Sequence, residues 1–254
     1  MLEATDIRVQ FGGVVAVDGV SLTVEDHEVV GLIGPNGSGK STFINALTGL
    51  VRASGELRVD GTALRLGRPG QLSRHGVLRT FQTPQVHDDL TCLENVLIGI
   101  QDWRLRTLLP SWIRRRAMLR REHEHWEEGY EALRFVKLRD QADHLAGALA
   151  YGERRRLELA RAYAGRPRTL LLDEPAAGLN HVETMELVEL LHRWRDEDGP
   201  ALLVVEHKVA FLEELCHRMA VLELGKQIAA GEPAEVWANP LVMDAYLGQV
   251  TIDA

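Results

Sequence analysis

Cysteine is scarce in this chain, which has 254 residues. The two cysteines, Cys92 and Cys216, stand far apart and lack the short spacing of a metal-binding pair. Two isolated thiols are typical of a reduced compartment, so a disulfide-stapled scaffold is excluded. We expect both side chains in a core.

Long uncharged runs are also missing. No such run approaches the roughly 20 residues of a membrane-spanning helix, and residues 1–6 have neither the basic nor the apolar part of a secretory signal. We therefore expect the chain on the cytoplasmic side, where it reaches a membrane only through a partner. The formal net charge of −8 gives no general attraction to nucleic acid.

What is present is the composition of a globular protein, 45% apolar and 26% charged. A segment from about 90 to 165 is charged and helix-forming, without glycine between Gly99 and Gly129. Strand-like runs alternate with helical sequence elsewhere, which predicts an α/β fold with a mostly parallel sheet and a helical insertion. These runs are 7–11, 14–17, 20–24, 29–33, 55–61, 169–173, 201–205, 219–223 and a hairpin strand at 226–230.

One motif points to a phosphate ligand. It fits G-x-x-x-x-G-K-[ST], in which backbone N–H groups surround an anion, the lysine reaches the β- and γ-phosphates and the hydroxyl ligates Mg²⁺. A buried strand precedes it and a helix follows, so a helix N-terminus faces the phosphates. Its residues are Gly34, Pro35, Asn36, Gly37, Ser38, Gly39, Lys40, Ser41 and Thr42.

Two adjacent carboxylates end the predicted strand 169–173. Burying such charges is costly unless something pairs with them, and Mg²⁺ is a suitable partner. Asp173 is expected to hold Mg²⁺ beside Ser41, while Glu174 faces the attacking water. The alternative is an acidic turn after a core strand, which the phosphate-binding motif disfavours.

A histidine follows the next strong strand. His207 comes directly after 201–205 and Glu206, at the sheet edge where α/β folds bind nucleotides. It is a candidate for contact with the γ-phosphate, and a surface or capping role stays open.

The segment from Leu149 to Arg161 is, by itself, a turn that leads into a basic amphipathic helix. In this position it resembles the Leu-Ser-Gly-Gly-Gln signature of the ATP-binding cassette (ABC) ATPases. The resemblance covers nearly the whole chain. It includes an aromatic that stacks on adenine, a glutamine that senses Mg²⁺ and water, the signature itself, a loop that crosses to a partner and a switch histidine. These are Phe11, Gln82, Ala150-Tyr151-Gly152-Glu153, Ala177–Asn180 and His207.

The resemblance implies a P-loop NTPase with a RecA-like core, an antiparallel β subdomain and an inserted helical subdomain. We expect one domain over 1–254, with its core at 1–87 and 166–254 and the helical part at 88–165. ATP and Mg²⁺ are the implied cofactors. The resemblance assigns catalysis to Lys40, Gln82, Glu174 and His207. It assigns Mg²⁺ binding to Ser41, Gln82 and Asp173.

The same resemblance implies partners. A second ATPase subunit completes each site with its signature, and two membrane permease subunits receive the motion. An extracytoplasmic binding protein acts indirectly, and nucleic acid is not a partner. The chain would lie peripherally on the cytoplasmic face of the inner membrane.

Finer details resemble the longer ATPase of branched-chain amino-acid importers. They include residues 11–17, Arg79–Gln82, 173–180 and Ala245–Gly248. Importers of urea or short-chain amides and lipopolysaccharide export are alternatives. A soluble ABC ATPase acting on DNA or ribosomes is disfavoured by the single cassette and the acidic charge. A switch with little turnover is disfavoured by the complete catalytic set.

Two departures from the ABC pattern and one charged cluster need an explanation. Ala150 replaces the signature serine, so the N–H of Gly152 and the following helix must contact the phosphate. Asn180 replaces the usual aspartate and keeps a hydrogen-bonding side chain. The five arginines between Arg114 and Arg121 are interpreted as a solvated helix face, with lipid or partner contact as the alternative.

Overall fold

A computed structural model describes residues 1–100, 115–197 and 199–250. It divides into two compact units, a core unit of Met1–Gln82 with Pro167–Ala254 and a helical unit of Thr83–Arg166. The arginine cluster between 114 and 121 lies outside the residues whose side chains the structure describes.

Strands and helices are numbered in chain order. The strands are β1 (Leu2–Phe11), β2 (Val14–Val24), β3 (Val29–Ile33), β4 (Ser54–Val59), β5 (Thr62–Leu64), β6 (Val77–Arg79), β7 (Thr169–Asp173), β8 (Ala201–Val205), β9 (Arg218–Glu223) and β10 (Lys226–Gly231). The helices are α1 (Lys40–Leu47), α2 (Gln71–Arg74), α3 (Cys92–Gly99), α4 (Arg115–Phe135), α5 (Tyr151–Ala164), α6 (His181–Asp196), α7 (Val209–Leu215), α8 (Pro233–Ala238) and α9 (Pro240–Val250). Within the described residues, no helix combines the length and apolar character needed to cross a membrane.

A six-stranded sheet in the core unit has the order β10-β9-β3-β8-β7-β6. Its strands β9, β3, β8, β7 and β6 pair in parallel, and β10 closes one edge antiparallel to β9. Every residue of β3, β7 and β8 is buried, which explains their continuous apolar sequence. The predicted α/β fold is confirmed. The sequence did not indicate β6, because three residues are too few to show a pattern.

A second, antiparallel sheet has the order β2-β1-β4-β5. The predicted runs 14–17 and 20–24 are one strand, β2, rather than two. Gly19 between them has φ 74°, and the pairing with β1 shifts register at this point. The chain therefore continues through a bulge, which glycine permits at little cost.

The two sheets and α1 share one hydrophobic core. Ile7 and Val20 come from the antiparallel sheet, Leu32 from β3, and Phe43 and Ile44 from α1, and all five are fully buried. This packing fixes α1 against both sheets, so the start of α1 has a defined position at the end of β3.

Over residues 83–100 and 115–166, the helical unit is built from the helices α3, α4 and α5. Helix α3 begins with a capping box, in which the Thr91 Oγ1 accepts from the Glu94 N–H and the Glu94 carboxylate accepts from the Thr91 N–H. At its other end, Gly99 lies so close to α5 that a Cβ there would stand 2.2 Å from the carbonyl oxygen of Arg161.

Replacing Gly99 by alanine is expected to destabilise the protein. The added methyl group would force α3 and α5 apart, and overpacking of this kind costs about 1–3 kcal/mol. Thermal denaturation should show a lower Tm for Gly99→Ala. The control is Gly13→Ala, whose Cβ would meet nothing within 4 Å; equal Tm values for both variants would contradict the close approach.

Candidate functional site

Three of the predicted functional segments follow neighbouring strands. In the central sheet β8 lies between β3 and β7, and its Val205 pairs with Leu32 on one side and with Asp173 on the other. The segments that leave these strands therefore start at one level, along the carboxyl edge where α/β sheets bind ligands.

The phosphate-binding loop, defined as residues 34–39, is a cradle of backbone. Gly34 has φ 147°, and a Cβ there would lie 2.1 Å from the carbonyl oxygen of Leu222. Gly39 has φ 106°, and its Cβ would lie 2.5 Å from the carbonyl oxygen of Ala16. Side chains are thus excluded from the back of the loop. Helix α1 begins directly after it, so the loop and helix N-terminus together suit an anion.

Lys40 lies buried under this loop, with 8% of its surface exposed. Its Nζ donates to the carbonyl oxygens of Gly34 and Pro35 at 2.7 and 2.9 Å. Burial lowers the pKa of Lys40 from its usual value, while the charges of Glu174 and Asp173 oppose that shift. The ammonium group is held beside the cradle and can give up one carbonyl partner for a phosphate oxygen.

The two adjacent carboxylates, Asp173 and Glu174, have different hydrogen-bond partners. Asp173, at the end of β7, accepts from Arg79 Nη2 at 2.7 Å. Glu174 accepts at Oε2 from Gln82 Nε2 at 2.8 Å, so the structure brings these two predicted residues together. The backbone of Glu174 has φ 45°, a left-handed conformation that is costly for a glutamate and typical of functional sites.

Arg79 is a residue of this site that the sequence did not reveal. Its Nη1 donates to Asn45 Oδ1 on α1 at 2.7 Å and to Thr48 Oγ1, directly after that helix, at 3.1 Å. The guanidinium carbon lies 4.8 Å from the centre of the Phe81 ring. The arginine was noted only as part of the motif around Gln82, because a partner on β7, 94 residues away, leaves no local signal.

The three residues after β8, Glu206 to Lys208, differ in burial. Glu206 is fully buried, and its carboxylate accepts from the N–H groups of Ala176 and Lys208, both at 3.4 Å. His207 is exposed, with its Nδ1 3.5 Å from Glu206 Oε1. The buried carboxylate thus lies beside an imidazole that is open to a ligand at the sheet edge.

Lys208 fixes the loop that was predicted to cross to a partner. Its Nζ donates to the carbonyl oxygens of Ala176 and Leu179 at 2.8 and 2.9 Å and to Thr184 Oγ1 at 3.2 Å. Asn180, which ends this loop, caps α6 by accepting from the Glu183 N–H at 3.0 Å. The sequence signalled neither contact.

The signature segment begins α5 in the helical unit. Ala150 precedes the helix, and its N–H donates to the Glu153 carboxylate at 2.9 Å. Glu153 therefore turns back onto its own helix. Alanine has no oxygen to accept from the first turn, which leaves these N–H groups suited to an anion. Tyr151 beside them is exposed, as is Phe11 at the end of β1.

Comparisons with known proteins agree on one family. A family model described as ABC transporter matches residues 17–177. The high-affinity branched-chain amino acid transport ATP-binding protein BraF of Pseudomonas aeruginosa is 40% identical over 251 residues, 98% of each chain. Its counterpart LivG of Escherichia coli K12 is 38% identical over 251 residues, again 98% of each. A crystal structure of an ABC transporter's ATP-binding cassette in its ADP conformation has a TM-score of 0.83 and 31% identity, covering 98% of each chain.

Removing the buried ammonium should remove tight nucleotide binding. Charged hydrogen bonds contribute about 1.5–3 kcal/mol, so Lys40→Ala should raise the Kd for ATP by about 10–100-fold or more. Calorimetric titration measures this change. Lys226→Ala is the control, because that lysine is exposed and its ion pair with Asp18 is long, at 3.5 Å. Unchanged ATP affinity in Lys40→Ala would contradict the role of the cradle.

Proposed function

The chain belongs to the ABC transporter family, and on that premise we propose that it is the ATP-hydrolysing subunit of a branched-chain amino-acid importer. One observation carries the ATPase part of the proposal. The phosphate-binding loop after β3 and the carboxylates after β7 meet at the same sheet edge, with His207 following the strand between them. The names of its relatives BraF and LivG support the substrate class.

ATP binds along the phosphate-binding loop. The loop N–H groups and Lys40 hold the β- and γ-phosphates, and the exposed ring of Phe11 stacks on adenine. Mg²⁺, when bound, supplies positive charge that offsets the charge on the phosphates. Ser41, Gln82 and Asp173 are the residues that would hold it. A hydroxyl, an amide oxygen and one carboxylate are oxygen donors of the kind this ion takes beside substrate phosphates.

Hydrolysis places a proton on Glu174. A water molecule attacks the γ-phosphorus, its proton passes to the Glu174 carboxylate, and the bond to the bridging oxygen breaks to give ADP and phosphate. The hydrogen bond from Gln82 fixes the direction of that carboxylate. His207 stabilises the γ-phosphate oxygens as charge redistributes.

A second ATPase subunit completes each site. In a head-to-tail pair, Ala150, Tyr151, Gly152 and Glu153 of one subunit face the γ-phosphate held by the other. The free N–H groups at the start of α5 supply the contact that a signature serine would otherwise make. ATP therefore closes the pair, and hydrolysis lets it open.

Closure of the pair does the mechanical work. Two membrane permease subunits bind the ATPase pair at the cytoplasmic face of the membrane, so the chain is a peripheral subunit. Their cytoplasmic loops convert closing and opening into alternating access. An extracytoplasmic binding protein delivers the amino acid to the permease and has no direct contact with this chain.

Neutralising the proposed base should stop turnover without stopping binding. Glu174→Gln is expected to lower the rate of phosphate release by about 10²–10⁴-fold, the usual contribution of a general base. ATP affinity should stay within about threefold, because the amide keeps the side-chain shape. Glu189→Gln on the exposed side of α6 is the matched control. Near-normal hydrolysis by Glu174→Gln would remove this residue from the base role.

The substrate class is tested in reconstituted vesicles. The chain is co-expressed with its membrane partners, and phosphate release is measured with binding protein that carries leucine, isoleucine or valine. We expect stimulation by these loaded proteins and none by one loaded with urea. Stimulation by urea or an amide instead would contradict the amino-acid substrate while leaving the ATPase activity in place.

A further inference from the structure

We propose that Arg79 is a positioning residue for the metal site. It holds the Asp173 carboxylate in register with α1, so that the aspartate meets Mg²⁺ in a fixed orientation. This inference rests on the proposed ATPase function and extends it to a residue that had no assigned role.

Arg79 joins three elements of the core unit. One terminal nitrogen of its guanidinium donates to Asp173 at the end of β7, at 2.7 Å. The other donates to Asn45 on α1 at 2.7 Å and to Thr48, which caps the end of α1, at 3.1 Å. Arg79 itself ends β6, where the next N–H, that of Thr80, donates to the Leu171 carbonyl at 2.9 Å. The carboxylate is thereby tied to the helix that begins with Lys40 and Ser41.

The burial of this ion pair indicates positioning rather than a gain in stability. The side chains of Arg79 and Asp173 are 9% and 10% exposed. Taking both charges out of water costs about as much as their attraction returns, so such pairs contribute little net stability. What the pair does supply is a fixed orientation of the Asp173 carboxylate. A planar guanidinium has donors at fixed angles and can bridge acceptors on two elements, which the single ammonium of a lysine cannot do equally well.

The same short segment also directs the proposed base. From Arg79 the chain passes through Phe81, whose ring lies against the guanidinium, to Gln82, whose amide donates to Glu174. Arg79 and Gln82 thus each donate a hydrogen bond to one of two adjacent carboxylates. A displacement of this segment would change the metal ligand and the base together.

Residues that orient metal ligands have a measurable effect on metal affinity. Loss of such a hydrogen bond typically weakens metal binding by about 10–100-fold, because the ligand samples orientations that do not suit the ion. A merely structural role for Arg79 would lower stability and leave metal affinity per folded molecule unchanged. The two roles therefore differ in a readout that does not depend on hydrolysis.

The test uses Mn²⁺ as the metal probe. Mn²⁺ is titrated into the full-length protein saturated with a non-hydrolysable ATP analogue, and free Mn²⁺ is counted by electron paramagnetic resonance. Arg79→Gln is expected to raise the Mn²⁺ Kd by about 10–100-fold. Analogue affinity in EDTA should change by less than about threefold, because the phosphate-binding loop is intact. Arg58→Gln, on an exposed pair with Glu56 at 3.6 Å, is the control.

A second variant covers the case in which Arg79→Gln does not fold. Asn45→Ala keeps the charge pair and removes one anchor of the guanidinium, so it should raise the Mn²⁺ Kd by a smaller factor. In the double variant the two effects should be less than additive in free energy, because both act through one contact. Arg79→Lys should restore the charge and only part of the metal affinity.

Two results would overturn the inference. Unchanged Mn²⁺ affinity in both single variants, with only a lower Tm, would make Arg79 structural. Tighter Mn²⁺ binding would mean that the guanidinium competes with the metal. Failure of the proposed function is distinct, since the unmodified protein would then bind no ATP analogue at all.

Discussion

The close backbone approach behind the phosphate-binding loop is the constraint on which the rest of the site depends. Carbonyl oxygens of Leu222 and Ala16 press against Gly34 and Gly39, leaving no room for a Cβ. They belong to different sheets of the core unit, so the cradle forms only when both sheets are in place. Lys40 follows the loop directly and is buried by the same packing. Anion binding is therefore a property of the assembled core rather than of the motif alone.

The sequence predicted those parts of the site that depend on short, continuous stretches of residues. The phosphate-binding motif has a fixed spacing, and buried parallel strands show as continuous apolar runs, so the α/β fold, β3, β7 and β8 were predictable. The contact of Arg79 with Asp173 and that of Lys208 with the loop before α6 were not, because each joins residues far apart in the chain. Strand β6 was too short to show a pattern. Gly19 interrupts the apolar pattern of β2, so the sequence predicted two strands there.

Differences in burial beyond the end of β8 explain how three successive polar residues take different tasks. Glu206 points into the core and accepts two backbone N–H groups, His207 is open to solvent, and Lys208 reaches the carbonyls that follow β7. These residues lie beyond the strand and differ in burial, so the buried carboxylate of Glu206 lies 3.5 Å from the exposed imidazole of His207. One short segment thus joins the proposed γ-phosphate contact to the loop of the proposed partner interface.

The left-handed backbone of Glu174 has a consequence for how this position evolves. With φ 45°, a residue that carries a Cβ loses about 1–2 kcal/mol relative to glycine. Folding and the proposed role of Glu174 as general base therefore exert opposite selection on this position. A library screened only for soluble, stable protein should drift at 174 towards glycine or asparagine, whereas a library screened for the proposed transport activity should retain glutamate. Position 174 would then record which of the two pressures a lineage has experienced.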